Sequence, residues 1–468
     1  MPSWRSSISK RLINRDFARL WYGQAISNVG DYVFDTTLTL WVAVKLGAGR
    51  PWAPAAVSGL LLAAVIAIVF VGPIAGVWVD RWDRKRTMLG TEAVRAVLCG
   101  AMALISLVPQ RDLPIPVWLV VIFAIVFLLN SAGQFFNPAR QMTIGQVVSG
   151  EEEQTRAFGI SNATSAVAGM IGPPLAAPLL FTSGVTWALV LNAASYVVSF
   201  ISIRSVRIPE SPAETPADGT ETGGAQAETA AAPGFWADFR EGLSFLLRDR
   251  FVRTLLLVAI TCQAGTGALN TLDVFFVTGN LHVAAKYYGV LAIGAGAGLI
   301  IGSLVAASVV RRFGAARTTA GVLLLSGLVF LIYTRQTTFA AGIVLLLLFM
   351  IPIAIVNTSA APLLLAAIPQ RLFGRVMSVF GTLNQGTQML SMLVAGWLAS
   401  SSFRTFHAEL LGVHMGPIDT IFTVAALLLV LGGVNGFITL PGAMRKASEQ
   451  AEADAPADPS PDPEPDPA

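Results

Sequence analysis

The sequence predicts an all-α integral membrane protein of twelve transmembrane helices arranged as two pseudo-symmetric six-helix halves. Apolar residues fill 54% of the 468 positions and charged residues only 13%, with a mean hydropathy of +0.66. A soluble domain carries about 25% charged residues. Runs of about 20 apolar residues, enough to cross a hydrocarbon core of about 30 Å, recur along the chain. A segment rich in Pro, Ala, Glu and Thr, residues 209–233, separates six of these runs from six others.

The first span is expected over 17–45. Read at helical spacing it places Gln24, Asn28, Asp31, Asp35 and Thr39 on one face. A carboxylate at the bilayer centre costs at least about 2.5–3.5 kcal/mol, so this face should line a protein-enclosed, water-filled cavity. No small-residue cleavage site follows the run, which reads as a retained helix rather than a signal peptide. Spans over 56–79, 88–109, 114–137, 157–181 and 185–204 complete the first half. The fourth span carries Asn130, Gln134 and Asn137 on one face. The fifth holds Gly169, Gly172, Pro173 and Pro174, which should combine close packing with a bend, because proline removes a backbone donor.

The second half is expected over 251–279, 287–310, 316–334, 338–363, 374–400 and 418–440. Polar striping returns with Gln263, Thr266, Asn270 and Asp273 in the first of these, Asn357 in the fourth, and Asn384, Gln388 and Ser391 in the fifth. Such amides either line a substrate cavity or join helices by hydrogen bonds. Gly294, Gly298 and Gly302 recur every fourth residue, as do Gly72 and Gly76 in the first half; this spacing lets helix backbones approach closely. The resulting division is a basic amino terminus (1–16), a first half (17–205), a partly disordered linker (206–240), a second half (241–441) and a disordered, acidic, Pro-rich tail (442–468).

Arginine and lysine orient the bundle, since they concentrate on the cytoplasmic side. Arg11, Arg15 and Arg19 flank the first span, Arg81, Arg84, Lys85 and Arg86 follow the second, and Arg311, Arg312 and Arg317 follow the eighth. Both termini and the linker are therefore expected in the cytoplasm, with the protein in the cell membrane. The net charge of +3 is accounted for by topology and implies no nucleic-acid partner. Cys99 and Cys262 fall inside spans, which argues against a disulfide framework. The chain has no Gly-Lys dipeptide, so no phosphate-cradling loop of an ATP-driven pump. His282, His407 and His414 scatter near helix ends, so no catalytic residue, metal site or cofactor is expected.

Three pairs of segments hint at duplication: 14–19 with 247–253, 72–81 with 302–311, and 155–159 with 374–378. The run Gly76-Val-Trp-Val-Asp80-Arg81-Trp-Asp-Arg84-Lys85-Arg86 resembles the signature loop between the second and third helices of the major facilitator superfamily. The segments around Phe135-Phe-Asn-Pro138-Ala-Arg140 and Phe373-Gly374-Arg375 resemble the branch with macrolide-efflux proteins and the enterobactin exporter. The resemblance covers about 14–445.

The resemblance implies a monomeric, non-enzymatic secondary transporter in the bilayer, whose partners are a small-molecule substrate and protons. It implies efflux of a medium-sized amphipathic drug or metabolite by alternating access. The alternatives are a dedicated siderophore or secondary-metabolite exporter and a nutrient uptake permease. Asp80 resembles the aspartate that latches the halves against the start of the 374–400 span; Gly76, Arg81 and Arg84 would shape that gating loop, with Glu92 and Arg95 joining its charge network. Two departures stand out. The 114–137 span offers Asn130 and Gln134 where many drug–proton antiporters have an arginine, Arg140 falling beyond the expected core. Gly172-Pro173-Pro174 only loosely matches the antiporter glycine–proline motif. Asp35 is the expected proton carrier, with Asp31, about 6 Å away along the helix, and Asp273 as alternatives. The expected substrate cavity draws on Gln24, Asn28, Asn130, Gln134, Asn137, Gln263, Asn270, Asn357, Asn384 and Gln388.

Overall fold

The computed structural model describes residues 13–79, 81–207, 235–401, 408–410 and 413–453. The first half comprises α1 (Arg15–Leu40), α2 (Ala53–Ile66), α3 (Gly72–Val79), α4 (Arg84–Ile105), α5 (Ile115–Val147), α6 (Glu151–Pro178) and α7 (Val185–Ser205). One wide turn, Ala67–Val71, joins α2 to α3. After the linker come α8 (Phe235–Arg248), α9 (Arg250–Gly279), α10 (Tyr288–Phe313), α11 (Ala315–Tyr333), α12 (Phe339–Ala367), α13 (Gln370–Ser400) and α14 (Pro417–Ala453). A two-stranded antiparallel hairpin, β1 (Ala408–Leu410) and β2 (Val413–Met415), is the exception to an all-α membrane fold.

Ten described helical segments are long and apolar enough to cross a membrane. The long helices α1 and α13 fall outside that set because polar stripes interrupt their apolar runs. The expected count of twelve requires both of them to cross as well.

Several ends differ from the hydropathic reading. Helix α5 runs through Pro138 to Val147, ten residues beyond 137, and α6 begins at Glu151 rather than 157. Hydrogen bonding continues past the hydrocarbon layer, where polar side chains are tolerated and hydropathy no longer reports the helix. Helix α8 straddles the expected boundary at 240, and α14 passes 442 to reach Ala453. Residues 208–234 of the linker and 454–468 of the tail lie outside the described residues.

Local chemistry starts the helices. Asn14 accepts a hydrogen bond from the Phe17 amide at 2.8 Å and caps α1, while Asp249 accepts from the Val252 amide at 2.7 Å and caps α9. Both caps lie in the two segments matched by sequence, one residue out of step: Asn14 stands three before Phe17 and Asp249 two before Phe251. The spacing of Gly298 and Gly302 is used as expected. A Cβ at either position would sit 2.3 Å from a carbonyl oxygen, of Leu347 and Ile351 respectively, so α10 lies directly on the backbone of α12. Gly76, in contrast, faces open space.

Within the first half α1 packs on α6 and α7, and α4 on α5 and α7; within the second, α11 packs on α12 and α14, and α9 on α13 and α14. Edge-to-face Trp41 and Trp118, with ring centroids 5.3 Å apart, anchor one apolar core. Phe276, Phe330, Tyr333 and Phe422 anchor the other. The halves meet where α2 packs on α13 and α6 on α10. There the Ser58 hydroxyl donates to the Met392 carbonyl at 2.8 Å, and the Ala55 amide donates to Ser400 Oγ at 2.9 Å. These two hydrogen bonds, the ones that join described residues of opposite halves, both lie at the end of the bundle where α2 begins and α13 finishes.

Candidate functional site

The polar stripe of α1 does face a cavity. Gln24, Ser27, Asn28, Asp31, Tyr32 and Asp35 line it together with Arg95 of α4, Gly133, Phe136, Asn137 and Arg140 of α5, and Ser165 of α6, enclosing about 270 Å³. The 3.6-residue period of α1 places these side chains on one face, and α4, α5 and α6 close round it.

The two acids of α1 sit in different surroundings. Asp31 Oδ2 accepts from Arg95 Nη2 at 3.1 Å, and Asp31 Oδ1 accepts from the Tyr196 hydroxyl. The Arg95 guanidinium also lies 4.4 Å from the Tyr196 ring centroid, so cation–π attraction fixes it from a second direction. Asp35 is open to the cavity, and no described group donates to its carboxylate; the Thr39 hydroxyl bonds only its backbone carbonyl, at 2.9 Å. One carboxylate is thus held in a structural ion pair and the other is available.

Beneath this pair Glu92 is fully buried. Its Oε1 accepts from Ser199 Oγ at 2.8 Å and from Gln24 Nε2 at 3.4 Å, while Oε2 has no partner among the described residues. Arg140 touches Gln24 Oε1 at 3.5 Å and forms no ion pair with a described carboxylate. Asn28 Nδ2 donates to Ser165 Oγ at 3.2 Å. The network ties α1, α4, α5, α6 and α7 into one unit whose exposed face is the cavity wall.

The remaining expected residues are placed differently. Glu92 and Arg95 do not join the loop's charge network: they occupy the stripe of α4 that includes buried Met88, Cys99 and Met102, and their partners come from α1 and α7. Gly76 ends up on α3, Arg81 in the loop, and Arg84 at the first position of α4, where Asp83 caps the helix; Asp80 lies outside the described residues. Asp273 is buried in the second half, accepting from the Tyr333 hydroxyl at 2.8 Å, and does not line the cavity of Asp31 and Asp35. Asn130 donates to the Val126 carbonyl at 2.9 Å, Gln134 to the Asn130 carbonyl at 3.3 Å, and Asn384 to the Phe380 carbonyl at 3.0 Å. These amides bond their own helices. Gln263 and Gln388 are half-buried, and Asn270 and Asn357 exposed; none of the four lines the cavity of Asp35, whose walls come from the first half alone. Arg140, expected beyond the core, lies inside α5 and on the cavity wall. Tyr196 and Ser199 were not anticipated, although Asn192, Ser195, Tyr196 and Ser199 repeat on one face of α7.

The Major Facilitator Superfamily profile matches residues 20–278, over half of the chain. The chain belongs to this superfamily. It is similar to macrolide efflux protein A of Streptococcus pyogenes, with 23% identity over 288 residues, 62% of this chain and 65% of that one. It is also similar to the uncharacterized MFS-type transporter YkuC of Bacillus subtilis strain 168, with 24% identity over 303 residues, 64% of this chain and 66% of that one. The matched region thus spans just under two thirds of these relatives. The first of these names bears out the resemblance to the macrolide-efflux branch. Among solved structures, a bacterial homologue of the iron transporter ferroportin in an inward-facing state superposes with a TM-score of 0.67 at 13% identity, covering 91% of this chain and 98% of that one. This likeness supports the superfamily fold.

Proposed function

We propose that the protein is a secondary transporter that exports a medium-sized amphipathic molecule, neutral or cationic, by alternating access coupled to protons. The observation that carries this reading is the asymmetry between Asp31 and Asp35: Asp31 is occupied by Arg95 and Tyr196, whereas Asp35 opens unbonded into the cavity. A carboxylate placed so can take up a proton or meet a cationic group from the substrate. Halves hydrogen-bonded at one end, around Ser58 and Met392, support alternating access. The macrolide-efflux relatives support export. Arg81 to Arg86 belong on the cytoplasmic side in this reading, and Asp80 latches that side when it closes.

The test is transport in proteoliposomes with an imposed pH difference. Asp35→Asn should abolish uphill export while retaining downhill substrate exchange, because the variant still binds but exchanges no proton. Uphill pumping by Asp35→Asn with an unchanged pH profile would move the coupling role to another acid.

A further inference from the structure

A second cavity, of about 740 Å³, lies on the flank of the first half between α4 and α5. Its α4 wall is a face distinct from the buried stripe of Glu92 and Cys99, and it holds Val94, an exposed residue, and Leu98; Leu128 and Phe135 of α5 face it. From Arg86 to Leu98 is about 18 Å at 1.5 Å per residue, the depth of roughly one leaflet's hydrocarbon. Further in, the Thr91 and Ser131 hydroxyls donate to carbonyls of their own helices, and charge is confined to one end. Arg81 and Arg86 are both exposed there, and neither forms an ion pair with a described carboxylate. Asp83, the acid at the same mouth, has Oδ1 engaged by the Arg86 amide at 2.6 Å. Between the charged mouth and the apolar walls, the Trp82 ring stacks on Phe135 with centroids 5.9 Å apart.

We propose that this groove binds one anionic glycerophospholipid from the leaflet beside the Arg81–Arg86 loop. Its phosphate sits on the two guanidinium groups, and one acyl chain lies between α4 and α5. The distribution of charge selects this occupant. A soluble anion would leave the long apolar wall unfilled, and a cationic amphipath would meet two arginines that no described carboxylate pairs. Basic pockets between transmembrane helices bind acidic head groups by the same pairing of field and apolar depth, and tryptophan settles at the interface where both ends meet.

Native mass spectrometry of the delipidated full chain, titrated separately with phosphatidylglycerol and phosphatidylcholine, tests this. Phosphatidylglycerol should be retained preferentially as a single adduct. Arg81→Gln and Arg86→Gln, both at exposed positions, should each weaken its capture about fivefold and bring it towards the phosphatidylcholine level. Gly90→Leu, placed where a Cβ meets open space, should fill the groove and displace the lipid. Unchanged phosphatidylglycerol capture in the arginine variants would overturn the proposal, and so would equal retention of both lipids by the wild-type protein. Loss in Gly90→Leu without loss in the arginine variants would reduce the groove to an unselective apolar crevice and overturn it as well.

Discussion

At the scale of single residues, the cavity wall rests on an ion pair made by two residues 64 positions apart in sequence. Arg95 and Asp31 keep side-chain exposures of only 14% and 28%. Removing either charge strands the other in a weakly solvated place, although Tyr196 still bonds Asp31 when Arg95 is lost. Arg95→Gln and Asp31→Asn should each destabilise the protein by about 1–3 kcal/mol. The double variant should lose less than the sum of the two by about 1 kcal/mol or more, because one substitution has already broken the pair. Equilibrium unfolding in detergent measures the cycle, and strict additivity would show that the two charges do not support one another. The stripe of α1 was legible from sequence because a carboxylate among apolar residues has few places to go. Tyr196 and Ser199 were not, because hydroxyls inside membrane helices are ordinary and bond equally well to their own backbone. Only the fold reveals that these two reach Asp31 and Glu92.

Among the elements, the contact of α10 with α12 depends on the absence of side chains. Gly302→Val would drive a Cβ to within 2.3 Å of the Ile351 carbonyl oxygen, and a backbone atom cannot yield as a flexible side chain can. The cost should be about 1–3 kcal/mol or more, visible as a lower melting temperature and a lower yield of monodisperse protein. Gly76→Ala, facing open space, serves as the control and should melt with the wild type. An unshifted melting curve for Gly302→Val would mean that α10 and α12 stand further apart than described. The glycine spacing announced this contact, since a four-residue repeat of small residues has one obvious use. Helix ends were less legible. Hydropathy reports the apolar part of a helix, and α5 continues to Val147 past the expected end at 137, which is how Arg140, on the cavity wall, came to be read as beyond the core of the span.

For the whole molecule, the hydrogen-bonded end makes a mechanical prediction. Ala55→Cys and Ser400→Cys, introduced together, should be bridged by a short bis-thiol-reactive linker, since the Ala55 amide and Ser400 Oγ are 2.9 Å apart. The native Cys99 and Cys262 are buried and should not compete. The bridged protein should lose transport, and a reducible linker should restore it on cleavage. Full transport by the bridged protein would show that this end need not open. The division into halves was expected from composition alone, because a segment so poor in large apolar residues cannot lie inside a bilayer. Which end of the bundle carries hydrogen bonds between the halves was not, since it depends on contacts such as Ser58 with Met392 across 334 positions of sequence.

Those two hydrogen bonds also bear on the energetics of the proposed proton-coupled cycle. A hydrogen bond contributes about 0.5–1.5 kcal/mol net, so together they tilt the balance between arrangements of the halves by about 1–3 kcal/mol, roughly 5- to 150-fold in population. One proton crossing a pH difference of a single unit releases about 1.4 kcal/mol. If protons drive the transporter as proposed, a fastening of that size matches the quantum of work that one proton delivers, whereas a much stronger one would hold the protein in a single state.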